Sequence, residues 1–309
     1  MPLDISVRLR RNWNSRPIGR IAYVNGRYVP HSEAGVHVED RGLQFADAIY
    51  EVWSIAGGGI FDEEEHLDRL EHSLHELDMA MPIARKSLKF VLREIARRNR
   101  VENGLIYLQI TRGTLRRDHP IPSQPLKPTL ILTSRSLDMR AIDLRRSAGV
   151  RVVTSPDQRW ARCDIKSTGL IANVLAKTAA RAAGAYEAWL VDRDGFVTEG
   201  SSTTAWIVDG EGRLVTRDLS NAILPGVTRR VALEAAADAQ IPIIERRFTP
   251  EEAAGAREAF LSSASAGIMP IVAIDENPVG DGKPGPVTRR LQELYFAAAA
   301  KKAGAEKGL

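Results

Sequence analysis

Cysteine is scarce in this sequence, whose 309 residues include one, Cys163. A single cysteine excludes an intrachain disulfide and a metal site built from several cysteines, and we expect Cys163 to be a small packing residue. The sequence also lacks a run of about 18 apolar residues, which argues against a membrane span. Residues 1–20 are rich in arginine but lack the apolar centre of a secretory signal. We therefore expect a cytoplasmic protein with no membrane partner, in which residues 1–20 form a flexible arm.

The charged residues do not gather into blocks of one sign. There are 43 Lys and Arg residues against 39 Asp and Glu residues, for a net charge of +4. Nucleic-acid binding requires a clustered basic face, whereas here basic and acidic residues alternate, as in Arg93–Glu94 and Glu245–Arg246. A solvated surface explains this pattern better, so we expect no nucleic-acid partner. The positive balance would also suit an anionic small-molecule substrate.

The length and the 44% hydrophobic content are sufficient for two domains with sizeable cores. Residues 136–149 are polar and read as irregular, which makes residues 139–149 the best candidate for a linker. We accordingly predict a small N-terminal α/β domain over residues 21–138 and a larger C-terminal domain over residues 150–309.

Local patterns in the N-terminal half predict a hairpin, two strands and helices. Asn25-Gly26 between short alternating runs is typical of a tight hairpin turn. Residues 36–43 resemble a strand ending in a turn, and residues 44–53 a second strand. If that second strand forms, Tyr50 and Glu51 lie on its opposite faces.

Several cationic side chains of this half are open to two interpretations. Arg69 lies beside the apolar stripe of a predicted helix, where a solvated charge is the default. Three histidines on the same helix, His66, His72 and His75, suggest a metal. No convincing third ligand accompanies His72 and His75, so we expect surface histidines and no metal site. Arg117 and His119 alternate in a basic loop, where they would bind a carboxylate together or simply be solvated.

Lys166 lies between a predicted strand at residues 150–154 and a predicted helix at residues 170–183, with Trp160 and Ile165 nearby. Most lysines are solvated surface charges. An amine that is partly removed from water is different, because burial disfavours its ammonium form and frees it for Schiff-base chemistry.

Polar residues interrupt apolar surroundings at two further places. Glu199 is followed by a glycine and four hydroxyl residues, a pattern that a polar edge strand would also explain. Gly226 opens a predicted helix and Thr228 follows, so free backbone N–H groups and a hydroxyl converge as they do around phosphate. Helices often begin with Gly and Thr, so this motif does not identify a phosphate site unaided.

Taken in order, these segments resemble the fold-type-IV pyridoxal-phosphate enzymes, and most closely the D-amino-acid aminotransferases among them. The resemblance spans Tyr23 to about Ala299. It implies an α/β (α+β) fold of two domains, in which an N-terminal α/β domain and a C-terminal pseudo-barrel domain enclose the active site, and it implies a homodimer. The matching motifs are residues 39–42, 50–52, 66–70, 112–119, 163–167, 198–202 and 223–229.

The resemblance also implies a role for each site residue. Lys166 would form the Schiff base with pyridoxal 5′-phosphate and shuttle a proton, and Glu199 would face the pyridine nitrogen. Leu224 would support the ring. Ala264 stands where family members often have threonine, so its backbone amide alone is expected to contact phosphate. The expected phosphate ligands are Arg69, Val227, Thr228, Ser263 and Ala264.

The same resemblance implies that Tyr50, Arg117 and His119 trap the α-carboxylate of the substrate, with the Arg117 loop contributed by the other subunit. The implied reaction is ping-pong transamination of D-amino acids such as D-alanine and D-glutamate with 2-oxo acids. Three alternatives share the scaffold: an aminodeoxychorismate lyase, a branched-chain aminotransferase and an (R)-amine transaminase. The last two do not have Arg-x-His at this loop.

Overall fold

The computed structural model describes residues 19–305, with side chains up to residue 298. All but two residues of the arm expected at residues 1–20 lie outside this part. No helix among the described residues is long and apolar enough to cross a membrane.

The N-terminal half forms a six-stranded antiparallel sheet. The strands are β1 (Ile21–Val24), β2 (Arg27–Pro30), β3 (Ala48–Ala56), β4 (Gly59–Ile60), β5 (Gly104–Thr111) and β6 (Thr129–Ser136), in the order β2-β1-β6-β5-β3-β4. The predicted hairpin is confirmed at Asn25-Gly26, where both residues adopt the positive φ that such a turn requires. The helices of this half are α1 (Arg41–Phe45), α2 (Glu63–Glu76) and α3 (Arg85–Arg98).

Strand β3 has two chemically different faces. Ile49, Glu51 and Trp53 are fully buried on the face that α2 covers, where the leucines of α2 and α3 complete an apolar core. Tyr50 and Val52 lie on the opposite face and border a cavity. The predicted division of Tyr50 and Glu51 between the faces is therefore confirmed.

The C-terminal half forms a mixed nine-stranded sheet. Strand β14 runs parallel to β7, and β7 runs parallel to β8. The strands are β7 (Val150–Pro156), β8 (Glu187–Val191), β9 (Val197–Gly200), β10 (Thr204–Val208), β11 (Leu214–Thr216), β12 (Ile243–Glu245), β13 (Glu258–Ser263), β14 (Gly267–Ile274) and β15 (Asn277–Pro278). The helices are α4 (Met139–Ala148), α5 (Ile171–Ala182), α6 (Val227–Asp238), α7 (Pro250–Ala254) and α8 (Pro286–Ala305).

Two local predictions are wrong. Residues 36–43 do not form a strand, because the Asp40 carboxylate accepts the Gly42 N–H at 2.8 Å and caps the start of α1. For the same reason the strand predicted over residues 44–53 begins only at Ala48, since residues 44 and 45 belong to α1. Residues 139–148 are not irregular but form α4, which begins where Asp138 caps the Ala141 N–H. The proposed division into domains at residues 139–149 stays a prediction, although the two sheets do separate there.

The loop that carries Lys166 is held by backbone hydrogen bonds to the other half of the chain. Tyr50 N donates to Lys166 O at 2.9 Å, and Thr168 N donates to Ala48 O at 3.0 Å. Ile49 and Ser167 thus form an antiparallel bridge. This pairing extends the sheet at β3 and fixes the lysine backbone beside Tyr50.

A buried ion-pair network fixes the loop after β5. The Asp47 carboxylate accepts Arg41 Nε at 2.7 Å and Arg112 Nε at 2.8 Å. The remaining guanidinium nitrogens of Arg41 donate to the carbonyls of Asp118 and His119. Burial raises the pKa of Asp47, but the hydrogen bonds from Arg112 and Arg41 outweigh it and hold the pKa below its ordinary value.

We predict that Asp47→Ala lowers the free energy of unfolding by about 3–5 kcal/mol at pH 7, because two buried guanidinium groups lose their partner. Since the pKa of Asp47 is lowered on folding, its contribution is present above the unfolded pKa of about 3.9 and is lost as the pH falls further. Urea unfolding of wild type and variant should therefore differ at pH 7 and converge in acid.

Asp143→Ala is the matched control, since Asp143 is exposed and pairs with Arg146 on the same helix. It should change stability little. An Asp47→Ala protein as stable as this control would contradict the assigned role of the network.

Candidate active site

A cavity of about 280 Å³ lies between the two sheets. Lys166 and Glu199 both border it. Arg117 and His119 do not border it. The other predicted site residues that line it are Tyr50, Arg69, Leu224, Val227, Thr228, Ser263 and Ala264.

The Lys166 amine lies beside an aromatic ring and within electrostatic reach of a carboxylate. Its Nζ is 4.2 Å from the centroid of the Tyr50 ring, a favourable cation–π distance. Its charge acts on Glu199 across the cavity. Ile165 is buried, whereas Trp160 is 47% exposed at the cavity wall. An amine of fixed backbone position therefore shares the cavity with an acidic group.

Glu199 is a buried carboxylate held from two directions. Arg159 forms an ion pair with it, and Leu224 N donates to Oε1 at 3.2 Å. Burial raises the pKa of Glu199, while Arg159, the Leu224 amide and Lys166 oppose the rise. Asp157 in turn fixes Arg159 at 2.7 Å. A buried acidic group with fixed hydrogen-bond partners therefore borders the cavity.

The other end of the cavity contains several hydrogen-bond donors. Helix α6 begins there, and the first N–H groups of a helix have no partner within it. Arg69 Nη1 donates to Pro225 O at 3.2 Å, which places the guanidinium at the start of α6. Thr228 is buried in the first turn, and the turn at Ser263 and Ala264 closes the wall. This donor set fits a phosphate group.

The solvated interpretation of Arg69 is wrong, because its side chain is only 9% exposed. Glu51, which no sequence pattern marks as functional, accepts Arg69 Nε at 2.9 Å and Nη2 at 2.7 Å. His66 Nδ1 lies 3.0 Å from the same carboxylate. His66 is therefore buried and not the surface histidine that we expected.

The pKa values of this triad favour an ionised Glu51 and a neutral His66. Burial raises the pKa of Glu51, but Arg69 and His66 outweigh it and hold the pKa far below its usual range. Burial lowers the pKa of His66 against the opposing effect of Glu51. Glu51 thus keeps its negative charge and orients Arg69. The alternation along β3 and the i, i+3 spacing of His66 and Arg69 were the available sequence signals.

The three residues expected to bind the substrate carboxylate are not together in one chain. Tyr50 lines the cavity, stacked on Tyr107 with ring centroids 5.7 Å apart. Arg117 and His119 are exposed and pack on Phe45, at 4.5 and 5.3 Å from its ring centroid.

Cys163 has the packing environment that we expected. It is buried, its thiol donates to Trp160 O, and burial raises its pKa to about 11. The thiol therefore stays protonated at neutral pH.

Comparison with known proteins gives consistent matches. The family model for class IV aminotransferases matches residues 48–274. The D-alanine aminotransferase of Staphylococcus haemolyticus is 40% identical over 273 residues, which cover 88% of this chain and 95% of that protein. The D-alanine aminotransferase of Bacillus licheniformis is 36% identical over 268 residues, 87% and 93% of the two chains.

Solved structures of branched-chain amino acid aminotransferases also match. One of them, determined with pyridoxamine 5′-phosphate, superimposes with a TM-score of 0.84 and is 28% identical over 94% of this chain and 97% of that one. The enzyme of the archaeon Thermoproteus uzoniensis, determined with norvaline, has a TM-score of 0.79 and is 26% identical, covering 91% and 95% of the two chains. The likeness confirms the predicted mixed α/β fold.

We predict that inorganic phosphate binds at the start of α6 and raises the melting temperature of the ligand-free protein by roughly 2–4 °C at concentrations well above its Kd. Thr228→Val should reduce this increment, because it removes a hydroxyl while keeping the side-chain volume. Each increment is measured by calorimetry against the same variant without phosphate, with Thr178→Val on the exposed surface of α5 as control. Equal increments in all three proteins would place the anion elsewhere.

Proposed function

Because the chain belongs to the class IV aminotransferases, we propose that it transfers the amino group of D-amino acids such as D-alanine and D-glutamate to 2-oxo acids in a ping-pong cycle. The 36–40% identity to two D-alanine aminotransferases supports this substrate class. The observation that carries the proposal is Tyr50 beside the Lys166 amine, together with Arg117 and His119 on an exposed loop.

The enzyme uses pyridoxal 5′-phosphate, as its family does. In this cavity the phosphate would lie against Arg69 and the first turn of α6, and the ring nitrogen against Glu199. Leu224 would support the ring. When bound, the cofactor supplies a carbonyl carbon that carries the amine and a ring that takes up electron density from the substrate.

Three residues of the chain have distinct roles in the reaction. Lys166 would hold the cofactor at rest, and once the substrate has displaced it, its Nζ would move the proton away from the substrate Cα. Glu199, a buried carboxylate at the cavity, would keep a proton on the ring nitrogen, because a negatively charged partner favours the charged ring. Tyr50 orients the substrate carboxylate and packs against the Lys166 side chain.

We further propose a homodimer in which Arg117 and His119 of the partner subunit complete the carboxylate site. Arg41 already fixes the conformation of this loop in the single chain. Exposed apolar side chains adjoin both parts of such an interface: Leu43 and Ile121 near the loop, and Ile171 near the cavity. A two-fold interface would bury both sets at once.

The alternatives share the fold and the cofactor. The likeness to a branched-chain aminotransferase fits an enzyme acting on L-leucine equally well. An (R)-amine transaminase acts on amines without a carboxylate and would have no need for the Arg117 contact, whereas a lyase would eliminate the amino group rather than transfer it. Activity on D-alanine that depends on Arg117 favours the proposed function over all three.

A hybrid dimer tests the proposal. Arg117→Ala should lower kcat/KM for D-alanine with 2-oxoglutarate by roughly 100-fold or more, because a desolvated charge pair is lost. Lys166→Ala should abolish turnover. Co-expressed with two affinity tags, the two variants form a hybrid with one intact site, which should regain about half of the wild-type rate.

Arg116→Ala, on the same loop, is the matched control and should keep the wild-type rate. A hybrid no more active than its parents would refute the exchange of Arg117 between subunits. Wild-type turnover of L-leucine in preference to D-alanine would refute the proposed substrate class.

A further inference from the structure

Five arginine and lysine side chains line the cavity within the described part of the chain, and four of them already face an acidic group. Lys166 shares the cavity with Glu199, and its charge acts to lower the pKa of that carboxyl. The other pairs are Arg69–Glu51 at 2.7 Å, Arg159–Asp157 at 2.7 Å and Arg229–Glu245 at 2.5 Å. The fifth, Arg135, has no ion pair and no side-chain hydrogen bond to any described residue.

The position of Arg135 follows from strand register. It lies on β6 directly opposite Leu105 of β5, and Leu105 lies opposite Ser54 of β3. Residues paired in this way share a face of the sheet, and Ser54 shares it with Tyr50 and Val52. The Arg135 side chain is exposed on that face and forms part of the cavity wall.

Arg135 and Tyr50 lie at two ends of this wall. Their backbones are separated by four residues along β3 and by two strands across the sheet, which is roughly 17 Å. Both side chains are long, so the gap between their ends is about the size of a small substrate. Val52 and Leu105 line the cavity alongside them and offer an apolar surface. A molecule with a carboxylate at each end of a short methylene chain matches this arrangement.

We infer that Arg135 binds the distal carboxylate of dicarboxylic substrates, namely D-glutamate, D-aspartate and 2-oxoglutarate, an assignment that rests on the proposed function. An unpaired guanidinium binds a carboxylate by charge-assisted, bidentate hydrogen bonds. D-Alanine has no group that reaches Arg135. Arg135 therefore sets the preference between dicarboxylic and short apolar substrates.

The test is steady-state kinetics of the cofactor-loaded enzyme with D-glutamate and D-alanine. Arg135→Gln should lower kcat/KM for D-glutamate by about 10- to 100-fold, the range expected for a lost charged hydrogen bond, and leave that for D-alanine within about twofold. Arg135→Lys should recover part of the loss because it keeps the charge. Arg140→Gln, an exposed arginine on α4, is the matched control and should leave both values unchanged.

Equal losses for both substrates would overturn the inference, because they would indicate that Arg135 contacts the cofactor or the common amino-acid group. No loss for either would overturn it too. The wild-type rate with D-alanine reports separately on the proposed function. If the wild type accepted only L-amino acids, the loss in kcat/KM caused by Arg135→Gln would be compared between L-glutamate and L-leucine. That comparison would still decide the role of Arg135.

Discussion

A carboxylate buried beneath β3 links the elements that form the site. Glu51 has no exposed surface, and it orients Arg69 of α2, whose guanidinium reaches the loop before α6. A buried charge is costly unless it is paired, so Arg69 has little freedom to leave this position. The start of α6 and the guanidinium therefore lie together at one end of the cavity, although they come from opposite halves of the chain.

The same strand also positions two residues that line the cavity. Tyr50 lies there because side chains alternate along β3, and the backbone of the Lys166 loop pairs with β3 at that position. One strand thus sets the positions of Lys166, Tyr50 and the Arg69 guanidinium, and Glu199 approaches the cavity from the nine-stranded sheet. A single rigid element positions groups that are more than 100 residues apart in the sequence.

Short-range sequence patterns predicted local structure better than they predicted contacts between distant residues. The Gly226–Thr228 helix start and the alternation of Tyr50 and Glu51 follow from short-range rules, and both are present. The burial of Arg69 and His66 depends on Glu51, a partner at a distance of 15 or more residues, which no single helix pattern reveals. The parallel pairing of β14 with β7 joins segments more than 110 residues apart. Arg135 acquires its position only through strand register.

The most direct measurement is an absorbance spectrum of the cofactor-loaded enzyme before and after addition of D-alanine or L-alanine, with no 2-oxo acid present. If the amino group passes from a D-amino acid to the cofactor beside Lys166, D-alanine alone should abolish the visible band of the bound cofactor, and pyruvate should restore it. Loss of the band with L-alanine alone, or with neither isomer, would contradict D-amino-acid transamination.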